Sequence, residues 1–264
     1  MKMWTRTEVL ITARTYPTPA TKGIEVSCTG GITRDGRWIR LYPVPYRFLD
    51  EDKRFRKYQW IEASAAKSSD SRPESFHLDP DSIQILTEPL TTAAYWKARK
   101  DIIAPLASPS LCWLQAERDK HQSPTLGFFK PKEIRRLLLE PDEPWTAAEL
   151  AKLRRNPLFG VAPKEELEQI PYKFKYQFAC DDPTCKGHTV SCVDWEMGQS
   201  YRSWSRKYAD WEAAFRKKYE TEMIDKLDTH FFVGTVRSHP GAWIIIGLFY
   251  PPKEPQGTKQ IPLF

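Results

Sequence analysis

The pair Asp35-Gly36 constrains this chain more than any other two residues, because β-branched and aromatic residues crowd both sides of it. Residues 24–33 read Ile-Glu-Val-Ser-Cys-Thr-Gly-Gly-Ile-Thr, and residues 37–42 read Arg-Trp-Ile-Arg-Leu-Tyr. An Asp-Gly pair between two such runs supplies the positive φ values of a tight hairpin turn, so the runs are expected to be antiparallel partners. Residues 8–13 (Glu-Val-Leu-Ile-Thr-Ala) lack a helical repeat and read as another strand, and further strands are expected at 58–65 and 81–86. Roughly five short strands in so short a stretch predict a small barrel, and the five-stranded OB type fits best.

The character then changes. Residues 94–106, 109–120 and 147–155 carry helix formers punctuated by Pro and Ser-Pro, which predicts a helical connector. From Tyr172 the β signal returns, with strands expected at 172–179, 189–193, 231–236 and 243–250. Between them a long helix is expected from about residue 195 to 223, on which Tyr201, Trp204, Tyr208, Trp211, Phe215 and Tyr219 share one face. Large rings at that spacing predict the face packed on a sheet. The predicted class is α+β: an N-terminal OB-like barrel (1–90), a helical connector (91–165), a second β unit with a Cys/His cluster and long helix (166–252), and a flexible polar tail (253–264).

A hydrophobic share of 41% and a charged share of 28% are those of a chain that folds. The longest apolar run, 242–250, is strand-sized, so no membrane span is expected. Charge appears within the first residues, before any apolar stretch of useful length, and the expected location is cytoplasmic. The formal net charge of +6 favours a polyanionic partner without requiring one.

Three sulfurs and an imidazole lie close together as Cys180, Cys185, His188 and Cys192, in the spacing C-x4-C-x2-H-x3-C. This is a full tetrahedral set for Zn²⁺, and closed four-ligand sites are structural. Cys192 falls in a predicted strand whose alternation can instead point it into the core, in which case Asp181 or Asp182 could complete the set. A water in the fourth position would make the site catalytic.

A second constellation interleaves cations with aromatic rings: Arg37, Trp38, Arg40 and Tyr42, then Arg47, then Arg54, Arg56 and Lys57. On a strand, Trp38, Arg40 and Tyr42 share one face, which could stack bases and neutralise phosphates as OB barrels do. The alternative is that Trp38 and Tyr42 are barrel core and 53–57 a solvated loop. Arg202, Arg206, Lys207, Arg216, Lys217 and Lys218 lie off the aromatic stripe of the long helix, where they could track a phosphate backbone or simply face solvent. Asp194 and Glu196 open that helix; Asp194 is a natural N-cap, whereas a nuclease would need the pair to converge on Mg²⁺ with a further acid and a lysine.

Two resemblances add to this reading. Tyr16-Pro17-Thr18-Pro19, the run from Gly36 to Pro45, Asp194-Trp195-Glu196 and the run from Gly247 to Pro252 resemble a group of bacterial proteins carrying a dual OB-fold domain. That resemblance implies the fold and, through OB domains generally, nucleic-acid binding; it assigns no catalytic residue. Gln260-Ile261-Pro262-Leu263-Phe264 resembles the pentapeptide by which bacterial polymerases and repair factors bind the sliding clamp, with Gln260 making polar contacts and Ile261, Leu263 and Phe264 supplying the apolar ones. The expected function is therefore a DNA-binding protein recruited to the clamp, in repair, replication control or phage defence. The alternatives are a metal-dependent nuclease using Asp194 and Glu196, and a protein adaptor that touches no nucleic acid.

Overall fold

The computed structural model describes residues 3–20, 24–154, 163 and 165–255. In the N-terminal part, β1 (Trp4–Arg14), β2 (Thr18–Pro19), β3 (Glu25–Thr33), β4 (Trp38–Val44), β5 (Trp60–Lys67), β6 (Ser75–Leu78) and β7 (Gln84–Ile85) form one sheet in the order β1-β3-β4-β6-β5-β7. Strand β5 also pairs with β1 from Trp4↔Ala66 to Leu10↔Trp60, which closes five strands into an OB-like barrel and leaves β2 and β7 as short additions. Val9, Ile11, Ile39, Leu41, Ile61, Ala63 and Ala65 occupy alternate strand positions, so the period of the pleat turns all of them inward. The hairpin joins β3 to β4 as expected, but only Gly36 has a positive φ, +77°, and its N–H donates to the Thr33 carbonyl at 2.9 Å. The connection is thus the looser kind that ends on one left-handed glycine. Residues 81–86 yield only the short β7, because Asp79 caps a 3-10 turn over Pro80–Ser82.

The segment read as a helical connector does contain helices α1 (Ala93–Ile103), α2 (Leu111–His121) and α3 (Ala147–Leu153). It also contributes two strands, β8 (Leu126–Phe129) and β9 (Glu133–Pro141), to the second sheet. With β10 (Tyr172–Ala179), β11 (His188–Cys192), β12 (His230–Thr235) and β13 (Trp243–Phe249) they form six strands in the order β8-β12-β13-β11-β10-β9. The long helix is interrupted. Helix α4 (Trp195–Lys207) stops at Tyr208, Asp210 caps a new helix α5 (Trp211–Arg216) by accepting from the Ala213 N–H at 3.2 Å, and a π-helical turn Lys217–Glu222 follows. Tyr201, Phe215 and Tyr219 are buried against the sheet, so the aromatic stripe is core, while Tyr208 at the break is 43% exposed.

The second sheet is the middle of three layers. On β12, Phe231 and Val233 face the helices while Phe232 faces the barrel; on β13, Ile245 faces the helices and Ile246 the barrel. Phe128, Phe232 and Phe249 meet Ala13, Ile32 and Tyr58 at the barrel junction, and each fully buried ring contributes about 1.5–3 kcal/mol. Close approach there depends on Gly247, where an added Cβ would lie 2.7 Å from the Ala13 Cβ and 3.3 Å from its Cα. The two units are also stitched by backbone, through a bridge between Thr15 and Asp194 and a 2.8 Å bond from the Tyr16 N–H to the Val193 carbonyl. No helix among the described residues is long and apolar enough to cross a membrane.

Candidate metal centre and junction cleft

Ser110 caps α2 by accepting from the Trp113 N–H at 3.0 Å, and this fixes Cys112 in the helix's first turn. Strand β10 runs out into Cys180, the following turn carries Cys185, and β11 begins at His188. One ligand atom from each of Cys112, Cys180, Cys185 and His188 lies within 4.8 Å of all the others, and Cys112 Sγ is 3.2 Å from His188 Nε2. The Cys180 and Gly187 N–H groups point at Cys185 Sγ from 3.3 and 3.4 Å, an arrangement that a thiolate accepts, and Gly187 reaches it with φ +88°. A tetrahedral zinc with Zn–S bonds of ~2.3 Å needs sulfurs ~3.8 Å apart, so this cluster fits a metal ion with small adjustments.

Cys192, read from the spacing as the fourth ligand, is not part of it. It stands four residues along β11 from His188, or ~13 Å of strand, is 3% exposed, and packs in the core opposite Phe174. Neither aspartate completes the set: Asp181 pairs with Lys132 at 2.9 Å, and Asp182 accepts from the Thr184 N–H at 2.8 Å. The fourth member of the cluster, Cys112, comes from a helix far upstream. The protonation chemistry suits a cation at this place. Burial holds the His188 imidazole below its ordinary value and so neutral, the ligating form. Burial and the neighbouring thiols push Cys112 up to about 12, since thiolates packed together repel in the absence of a counter-charge. Burial works against ionisation of Cys185 as well, yet the Cys180 and Gly187 N–H groups hold its thiol below the usual range.

A second site lies at the barrel junction, a cleft of about 410 Å³ lined by residues of both units. Asp194 is the N-cap of α4, accepting from the Met197 N–H at 3.0 Å through Oδ1 and from the Leu248 N–H at 3.2 Å through Oδ2. Lys57 reaches across from the barrel to Glu196 at 3.3 Å, Asp194 at 3.5 Å and the Leu248 carbonyl at 2.7 Å. The structure therefore brings a lysine to the two acids, but both Asp194 oxygens already serve backbone donors. Beside this network the Arg14 guanidinium lies 3.4 Å from the Tyr46 ring centroid and 4.3 Å from that of Trp195. Arg99 lies 4.1 Å from the Tyr58 centroid and 4.5 Å from that of Trp96. Neither arginine has an ion-pair partner among the described residues. Tyr58 has φ +65°, and Ala94, Tyr95 and Trp96 have φ +47°, +55° and +63°, a left-handed turn at the start of α1. Side chains rarely adopt this region, at ~1–3 kcal/mol each, and such strain concentrates where a site needs it.

The basic and aromatic residues singled out in the sequence are mostly engaged. Arg37 pairs with Asp35 at 2.6 Å on the surface. Ile39 and Leu41 point into the barrel, as alternation predicts, but the opposite face of β4 is covered: Trp38 packs edge-on to Phe232, and Arg40, 2% exposed, donates to Ser75 Oγ, Thr125 Oγ1 and the Thr125 carbonyl. Tyr42, 39% exposed, is the part of that face still open to solvent. Arg47 pairs with Glu25 at 3.0 Å, Arg54 donates to the Leu49 carbonyl at 2.9 Å, and Arg56 pairs with Glu88 at 2.5 Å. Arg202 is held by Glu165 and Glu168. Gln260, Ile261, Leu263 and Phe264 lie outside the described residues. Arg14, Arg99 and Cys112 were not legible as site residues, because each is isolated in sequence from the partners it meets in space.

Residues 5–105 match a family described as a domain of unknown function, DUF8758, which spans the barrel and α1. No curated protein matches the chain. Residues 107–264, more than half of the chain and including all four residues of the Cys/His cluster, match a second such family, and the chain belongs to the family described as domain of unknown function DUF8757.

Proposed function

We propose that this protein binds nucleic acid, DNA foremost, at the junction cleft, that its Cys112-Cys180-Cys185-His188 cluster holds a structural Zn²⁺, and that its C-terminal pentapeptide docks on a bacterial sliding clamp. The observation that carries the first part is the pair Arg14 and Arg99, each stacked on two aromatic rings and each without an acidic ion-pair partner among the described residues. Stacking occupies the guanidinium face; Arg14 Nη1 donates to the Phe55 carbonyl at 3.4 Å and Arg99 Nε to the Leu90 carbonyl at 2.8 Å, which leaves the remaining N–H groups for an oxyanion, and phosphate is the oxyanion that a net charge of +6 would draw. The OB-like barrel is compatible with this reading and supports it by analogy only.

Zinc is favoured at the cluster because three thiols and one imidazole make a soft, closed donor set. Its role would be to tie α2 to the β10–β11 turn. The clamp reading rests on Gln260, Ile261, Leu263 and Phe264, and a role in repair, replication control or phage defence rests on it in turn. The decisive experiment is binding of a fluorescent oligothymidylate across a salt series. Each phosphate neutralised on a single strand contributes about −0.7 to the slope of log K against log salt. A slope of about −1.4 or steeper is expected; no binding at low salt, or binding indifferent to salt, refutes the reading. Equal affinity for purified clamp by the wild type and by a chain ending at residue 259 would remove the tail from it.

A further inference from the structure

Tyr58 and Arg14 share a property that the junction does not explain. The Tyr58 hydroxyl and the Arg14 Nε are both buried and have no hydrogen-bond partner, and both residues line the cleft. A buried donor left unpaired costs about 1–3 kcal/mol, so an acceptor belongs beside each. Tyr58 keeps its place only by holding φ at +65°, so this cost is added to backbone strain at the same residue.

The charges in the cleft indicate what the acceptor is. Arg14, Arg56, Lys57 and Arg99 face Asp194 and Glu196 there. Lys57 binds both carboxylates and Arg56 pairs with Glu88, which leaves Arg14 and Arg99 as cations without a bound counter-charge. One lysine against two carboxylates leaves a single negative charge, so the two arginines give the cleft a net positive charge that draws an anion able to use both guanidiniums. The space is near the lower end of the ~300–1,000 Å³ that small-molecule sites span, and its walls come from two packed units. An internal phosphodiester carries one charge and drags chain in on both sides, whereas a terminal phosphate monoester carries up to two charges and enters from one side.

We propose that the cleft binds the terminal phosphate monoester of a nucleic-acid strand, with Arg14, Arg99 and the Tyr58 hydroxyl donating to its oxygens. This rests on the nucleic-acid reading above and sharpens it: the protein recognises a strand end, and internal phosphates contribute only outside the cleft. Inorganic phosphate and free nucleotides share the same chemistry and would occupy the same cleft more weakly.

The test compares oligothymidylates that differ only in bearing a 5′-phosphate, a 3′-phosphate or hydroxyls at both ends, by fluorescence polarisation on the full chain. One phosphorylated end is expected to bind at least about tenfold tighter than the hydroxyl form, the effect of one or two charge-assisted hydrogen bonds. In Arg99→Gln and in Tyr58→Phe, which removes a single oxygen, that affinity ratio is expected to fall toward one. Equal affinity of all three oligonucleotides for the wild type overturns the proposal while leaving nucleic-acid binding intact, and so does a ratio unchanged in both variants. If no oligonucleotide binds, the nucleic-acid reading fails by itself. Calorimetry with inorganic phosphate then decides the cleft, since binding that weakens in Tyr58→Phe keeps a phosphate site and no binding removes it.

Discussion

Lys57→Met is the perturbation that most directly questions how the two units are held together. Lys57 is a barrel residue whose ammonium sits between Glu196, Asp194 and the Leu248 carbonyl of the second unit, at 3.3, 3.5 and 2.7 Å. Methionine keeps the length and apolar stem and removes the charge, leaving Asp194, 3% exposed, with only its two backbone donors. Breaking a buried pair from one side costs ~3–5 kcal/mol. In a chain of this size that is a loss of roughly 6–20 °C in Tm. The pH dependence carries the same signature. Burial raises the Asp194 pKa even with Lys57 present, so the folded state holds a proton that the unfolded chain releases near pH ~3.9, and stability falls as pH rises through that window. Without Lys57 the folded value rises further and the decline extends toward neutrality. The deficit of Lys57→Met, read by urea denaturation, should therefore be smaller at pH 4.5 than at pH 7.5, and Asp194→Asn in the same chain should recover part of it. A deficit under about 1 kcal/mol at pH 7.5, or one that Asp194→Asn deepens, would refute the reasoning.

The metal centre makes a sharper prediction about cysteines. Cys112→Ser is expected to lose stoichiometric zinc by elemental analysis, whereas Cys192→Ser is expected to keep it and to lose stability alone; the reverse pattern would restore the ligand set read from spacing. Gly247→Ala is expected to destabilise the protein by about 1–3 kcal/mol in denaturant, because the new methyl meets Ala13 backbone that cannot move without opening the junction, and a neutral effect would show the two layers to be loosely apposed.

How much of this was legible in the sequence depends on the range over which each signal acts. Gly36 could be placed because a turn is decided by its own few residues, and β10 could be placed because Tyr172–Ala179 alternates with one face buried. Strand β8 could not: Leu126–Phe129 is buried at every position, since helices lie on one side of the sheet and the barrel on the other, and so short an apolar run carries no period. Strand β9 was obscured by composition, because Glu133, Arg135, Arg136 and three successive leucines are all good helix formers. The break at Tyr208 was hidden by a stripe whose spacing of three and four continues across it, as the rings of α4 and α5 converge on one sheet.

The same distinction separates the two candidate sites. Three of the four residues of the candidate metal cluster fall within nine residues because a β-turn can fold a short segment back on itself, and that compactness is what made them visible. A strand cannot do this, since each further pair of residues carries the chain ~6.6 Å away on the same face; the fourth member of the cluster therefore comes from another element, Cys112 of α2. The cleft shows the opposite extreme. Arg14 closes β1, Tyr58 precedes β5, Arg99 lies in α1 and Asp194 opens α4, so no two of them are neighbours in sequence. What makes them a set is that β13 packs on β1 closely enough to require Gly247, which brings the end of one unit's strand to the start of the other's helix. A site built by layer packing in this way leaves a trace in sequence only as small residues where the layers touch and as cations with no local acid to pair with.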